Sequence, residues 1–164
     1  MGHRVHDVLM LCTGNSARSI LAEALFTRLG AGRVRAYSAG SHPQGSVHPG
    51  SIALLRAEGY DVNAFRSKSW DEFTQPGAPQ MDIVISVCDA VAGEACPLWP
   101  GRPVRAHWGM PDPAAVSDPE AQRAAFRATY AALELRVRAL LALSDEQLAS
   151  ANAISKVHAD AAAR

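Results

Sequence analysis

The stretch Asp82-Ile-Val-Ile-Ser-Val87 limits most sharply what this chain can fold into. It is β-branched and apolar at adjacent as well as alternate positions, so as a strand it offers no face to water. A strand of that kind needs cover on both sides, which a parallel sheet flanked by helices supplies. Asp7-Val-Leu-Met-Leu11 reads as a second buried strand, Arg33 to Ser38 as a third ended by Ala39-Gly40, and Pro103 to His107 as a fourth. Helical spacing lies between them. It runs from Ile20 to Leu29, closed by Gly30, and from Pro49 to Gly59. A long amphipathic run follows from Asp118 to Leu143, opened by an Asp-Pro pair, and Gln75 to Gln80 is a Pro/Gly loop. The expected fold is α/β, an open four-stranded parallel sheet flanked by helices. Residues 1–143 form one domain in this reading. Residues 144–164 form an Ala-rich helical or flexible tail with a capping pair at Ser144 and Gln147.

Sixteen basic residues balance sixteen acidic ones, so no charge field points to nucleic acid. No apolar run reaches the length of a membrane span, and the first strand begins too early to leave room for a signal peptide. A cytoplasmic, monomeric protein is expected. In that reducing compartment three cysteines suggest chemistry more than staples. Ligands of open α/β sheets bind beyond the carboxyl ends of the strands, at the point where strand order reverses. Cys12, Cys88 and the segment after His107 each follow a strand, so all three fall at that edge.

Cys12-Thr-Gly-Asn-Ser-Ala-Arg18-Ser19 joins a strand to a helix N-terminus. The backbone N–H groups of Thr13, Gly14, Asn15, Ser16 and Ala17 can turn inward and cradle an anion. Arg18 offers a planar fork that matches two oxyanion oxygens. The amides, the helix dipole and Arg18 all favour negative charge at Cys12, and Ser19 can donate to its sulfur. Asn15 can hold the loop in shape through its side-chain amide. The pattern suits a cysteine nucleophile attacking a tetrahedral oxyanion.

Leu11-Cys-Thr-Gly-Asn-Ser-Ala-Arg-Ser-Ile-Leu-Ala-Glu-Ala24 resembles the signature of the low-molecular-weight tyrosine phosphatase fold and, more narrowly, of the arsenate reductases built on it. Tyr37-Ser-Ala-Gly40, Arg66-Ser-Lys-Ser-Trp70, Val87-Cys-Asp89, Cys96-Pro97 and His107-Trp-Gly-Met-Pro-Asp-Pro113 resemble that reductase family in the same order. The resemblance spans about residues 5 to 140 and leaves the tail outside.

It implies that Cys12 adds to arsenate, that Cys88 attacks Cys12 to release arsenite, and that Cys96 carries the disulfide outward. It implies no tightly bound cofactor. Reducing equivalents would come from thioredoxin, or from glutaredoxin and a small thiol, and phosphate or sulfate would compete as oxyanions. Asp112, held between Pro111 and Pro113, is then the general acid that protonates the departing oxygen. Taken alone it would be a plain Asp-Pro turn. If the stretch from Cys88 to Cys96 is helical, the two lie about 12 Å apart along the axis. A disulfide needs Cα atoms within about 7 Å, so the stretch must unwind on oxidation. Read without the family, the pair is two buried thiols or, less simply, half of a zinc site whose other ligands the sequence lacks.

In some family members groups like Asn15, Glu23 and Ser38 help hold a potassium ion. Here Lys68 stands near where a carboxylate would complete that site. Its ammonium either replaces the ion by pairing with Glu23 or is simply solvated. His42 and His48 read as loop residues and His107 and Trp108 as packing. Trp70 and Trp99 either shape the mouth or fill the core. Two other functions stay open. One is a phosphatase working through a phosphocysteine, although Pro113-Ala114-Ala115 lacks the tyrosine that such enzymes carry beside the Asp-Pro. The other is a non-catalytic anion sensor, which would have no need of a nucleophile.

Overall fold

A computed structural model of the protein describes residues 4–92 and 99–163. Four strands, β1 (His6–Cys12), β2 (Val34–Gly40), β3 (Ile83–Ser86) and β4 (Val104–His107), form one sheet in the order β2-β1-β3-β4. Every pairing is parallel. All seven residues of β1 are buried, as a central strand covered on both faces requires. β2 runs two residues past Ser38, to Gly40, because pairing with β1 continues to Cys12 opposite Gly40.

The helices are α1 (Arg18–Leu29), α2 (Pro49–Ala57), α3 (Asp89–Ala92), α4 (Pro119–Leu141), α5 (Asp145–Leu148) and α6 (Ala151–Ala162). α1 lies on β1 and β2 and meets α4, which also packs against α2 and α6. Asp118 caps α4 through Ala121 N–H, so the Asp-Pro pair does open that helix. Ser144 and Gln147 form a reciprocal capping box at α5. α6 buries Ile154 and Val157 and runs against β4, and the Ile154 carbonyl accepts a hydrogen bond from the Trp108 indole at 3.0 Å. Short 3-10 turns at Val62–Ala64, Trp70–Phe73 and Pro113–Ala115 have no periodicity long enough to read from sequence. Among the described residues no helix is long and apolar enough to cross a membrane.

The chain leaves β1 for β2 on one side and later returns to β3 on the other. Strand order therefore reverses beside β1, and the crevice of such a sheet opens at the carboxyl ends of β1 and β3.

Candidate active site

Cys12 is the last residue of β1, and its sulfur is almost wholly enclosed. The Asn15 N–H points at Cys12 Sγ from 3.2 Å and the Ser19 hydroxyl lies 2.9 Å from it. Asn15 holds the bend between them. It adopts φ 45°, in the left-handed region that asparagine tolerates better than most residues, and it is fully buried. Its side-chain amide donates to Ser19 Oγ at 2.8 Å and to Ser38 Oγ at 2.9 Å, and its Oδ1 accepts the Lys68 backbone N–H at 2.9 Å.

The loop's carbonyls are held on the outside. Thr13 O accepts from His42 N–H at 2.9 Å, Gly14 O from Gln44 N–H at 3.0 Å, and Ser16 O from His48 N–H at 3.0 Å. Ser67 and Ser51 hydroxyls add second bonds to Gly14 O and Ser16 O. Carbonyls fixed outward leave the peptide N–H groups free to face the cysteine, which is how a backbone cradle for an anion is built. Gly40 is where this packing is tightest. A Cβ there would collide with the Thr13 carbonyl oxygen and crowd Asn15.

Arg18 opens α1. Its Nη1 donates to the Met110 carbonyl at 2.9 Å, and its Nη2 stands 3.7 Å from Asp112 Oδ2. Among the described residues its buried Nε has no hydrogen-bond partner. An unspent donor on a positioned guanidinium beside a backbone cradle suits a further oxyanion oxygen. Asp112 caps the 3-10 turn with Oδ1 accepting from Ala114 N–H at 2.9 Å, which leaves Oδ2 toward Arg18. Cys12, Thr13, Gly14, Ser16, Ala17, Arg18 and Asp112 line one pocket of about 320 Å³.

Cys88 follows β3, is buried, and places its sulfur 3.4 Å from Thr13 Oγ1. The second thiol thus abuts the residue after Cys12. Cys12 and Cys88 are both free thiols. Cys96, and with it residues 93–95 of the stretch expected to unwind, lies outside the described residues. His107 accepts or donates at both ring nitrogens, to Ser86 Oγ and to Asp89 Oδ1, each at 2.7 Å. It ties the end of β4 to the first residue of α3.

Residues 7–153 match the model of the low molecular weight phosphotyrosine protein phosphatase family. The chain belongs to that family. An arsenate reductase of Bacillus licheniformis is 34% identical over 119 residues, 73% of this chain and 82% of that protein. The solved structure of an arsenate reductase in the reduced state superposes with a TM-score of 0.66 at 29% identity, covering 84% of this chain and 97% of that one. A thioredoxin-dependent arsenate reductase of Corynebacterium glutamicum shares the fold, with a TM-score of 0.60 at 24% identity over 83% of this chain and 60% of its own. Within the low-molecular-weight phosphatase family the chain therefore sits among the arsenate reductases.

Beneath the family's loop, Ser38 Oγ accepts from Asn15 and donates to Glu23 Oε1. Burial pushes the Glu23 carboxyl above its ordinary range, against the pull of the Ser38 hydrogen bond and of the Lys68 and Arg66 charges. Burial likewise lowers Lys68, against the pull of Glu23. The Lys68 ammonium donates to the Arg66 carbonyl at 2.8 Å, so its hydrogen bond turns back on its own segment while its charge acts on Glu23 through space.

His42 and His48 lie in the loop between β2 and α2, as the sequence reads, and there both, with Gln44, line the pocket over Cys12. The backbone bonds from 42, 44 and 48 to the loop carbonyls bring them there, and no residue pattern announces such bonds. His48 alone carried a sign, since it precedes Pro49 at a helix start, where a capping residue belongs. Trp108 is fully buried and stacks on Phe26, while Trp70 and Trp99 meet edge to face at 6.4 Å.

Proposed function

We propose that the protein reduces arsenate to arsenite through a thiol–disulfide cascade. The Cys12 thiolate attacks arsenic while the loop amides and Arg18 hold the oxyanion, and Asp112 Oδ2 delivers the proton that lets one oxygen leave as water. Cys88, as thiolate, then attacks Cys12 Sγ. The electron pair of the sulfur–arsenic bond passes to arsenic, arsenite leaves, and a Cys12–Cys88 disulfide remains. Cys96 attacks Cys88, frees Cys12, and hands the Cys88–Cys96 disulfide to an external dithiol of the thioredoxin class or to glutaredoxin with a small thiol. The observation that carries this reading is the Cys88 thiol lying 3.4 Å from Thr13 Oγ1, at the wall of the oxyanion loop. A phosphocysteine phosphatase has no step for it.

Lys68 takes the part of a bound cation in this proposal. The polar groups of Asn15, Ser38 and Glu23 already satisfy one another, and the Lys68 charge offsets that of Glu23.

The test is arsenate-dependent NADPH oxidation, run with thioredoxin and its reductase and, in parallel, with glutaredoxin and glutathione. Cys88→Ser should stop arsenate turnover and spare hydrolysis of a phosphate monoester. Equal loss of both, or robust monoester hydrolysis with no arsenate turnover in the unaltered protein, would favour the phosphatase.

A further inference from the structure

His48 carries four constraints at once. Its backbone N–H is bonded to Ser16 O of the Cys12 loop, which ties its position to the loop itself. Its Nδ1 accepts the Gly50 N–H at 2.9 Å and so caps α2. The ring stacks on Phe126 with centroids 5.1 Å apart. It also forms part of the wall of the pocket that holds Cys12, Arg18 and Asp112.

These contacts settle which nitrogen carries the proton. A ring nitrogen that accepts a backbone N–H has its lone pair in that bond, so the neutral ring carries its hydrogen on Nε2. The ring cannot easily turn to exchange the two, because the cap holds one edge and Phe126 holds a face. Phe126 is itself fixed: a Cβ on Gly50 would come within 2.7 Å of its ring, so the helix start already rests on it. The outcome is an N–H donor with a fixed tautomer on a locked ring, carried by a residue that lines the pocket over Cys12. Such a donor needs no reorganisation to meet a ligand.

We propose that His48 is a further oxyanion-binding residue, donating from Nε2–H to an outer oxygen of the tetrahedral anion held in the Cys12 loop. The assignment rests on the loop's binding of oxyanions, and not on whether the bound anion is afterwards reduced. Arg18 and the loop amides take the oxygens deep in the cradle, and His48 closes over one that faces the mouth.

Two substitutions separate this role from the cap. The amide of asparagine reaches about as far as Nδ1, and asparagine is a good N-cap, so His48→Asn keeps the bond to Gly50 and removes the distant donor. The amide nitrogen of glutamine reaches about as far as Nε2, so His48→Gln restores the donor. Inorganic phosphate is the probe, and its affinity is read by how it slows iodoacetamide alkylation of Cys12 in the full chain, followed at that residue by mass spectrometry. Loss of one charge-assisted hydrogen bond should weaken phosphate about tenfold in His48→Asn. His48→Gln should stay within about threefold of the unaltered protein. The thermal midpoint of each variant shows that it is folded. Unchanged phosphate protection in a folded His48→Asn, or equal weakening in both variants, overturns the proposal. Because the readout involves no turnover, it keeps its meaning even if arsenate proves not to be reduced.

Discussion

Cys12 and Cys88 leave adjacent strands of one sheet, yet the chain treats them in opposite ways. The loop after Cys12 is bound from every side. Asn15 anchors it from within, the amides of 42, 44 and 48 grip its carbonyls from outside, and two serine hydroxyls reinforce them. The described part of the segment after Cys88 is the helix Asp89–Ala92. Among the described residues it is tied to the sheet by the Asp89–His107 pair, whose carboxylate is 90% exposed. Exposed pairs of this kind contribute about 0–1 kcal/mol. The thiol proposed to attack arsenic is embedded in rigid structure, whereas the thiol proposed to change partners twice is, among the described residues, more lightly tethered.

The largest expected effect tests the rigid half. Asn15→Ala removes three buried side-chain hydrogen bonds and puts alanine at φ 45°. Backbone strain of about 1 kcal/mol and the stranding of Ser19, Ser38 and the Lys68 N–H should together cost about 4 kcal/mol. Urea unfolding measures it, and a loss below about 1 kcal/mol would mean that the loop is not held as described.

Next comes the acid beneath the loop. Burial raises the Glu23 carboxyl above its ordinary value of 4.5, so the folded state binds a proton that the unfolded chain has already released. The stability this confers is complete below 4.5 and is lost as pH rises through the raised value. The unaltered protein and Glu23→Gln should therefore melt alike in acid, with the former falling behind as pH climbs to neutrality. Parallel melting curves across that range would remove the buried carboxyl from the account.

The smallest effect belongs to the lightly held half. A Cβ at Gly109 would strike Asp89 Oδ1 and His107 Nε2, both ends of side chains that can move away. Gly109→Ala should change stability by less than about 1 kcal/mol. It should nonetheless speed alkylation of Cys88 severalfold while leaving Cys12 unaffected. Equal acceleration at both thiols would show that the two segments are not independent.

Much of this was legible in the sequence because it is local. The strand-turn-helix run through Cys12, the amide of Asn15 and the hydroxyl of Ser19 lie within eight residues, and their geometry follows from their order. The buried pattern of Asp82 to Val87 placed β3, and Ser144 with Gln147 announced their capping box. What escaped depends on contacts far apart in the chain. His48 and Gln44 reach the pocket through main-chain bonds that any residue can make. Lys68, read from sequence as either a charge partner of Glu23 or a solvated side chain, also holds Asn15 through its backbone N–H, which no side-chain pattern encodes. The tail shows only Leu148, Ile154 and Val157 in an Ala-rich background, so its packing against β4 and α4 was not readable.

The parallel pairing of β1 with β3 has a consequence for electron transfer. Neighbouring strands run about 4.8 Å apart, and a disulfide most often spans about 5.5 to 6 Å between Cα atoms. The last residues paired are Leu11 and Ser86, each just before a thiol-bearing stretch. The sheet therefore brings the stretches that carry Cys12 and Cys88 side by side, with Cys88 one residue beyond the position level with Cys12. The first disulfide of the proposed cascade would then join two stretches that backbone hydrogen bonds already hold as neighbours, leaving the residues after Ser86 to supply the remaining movement.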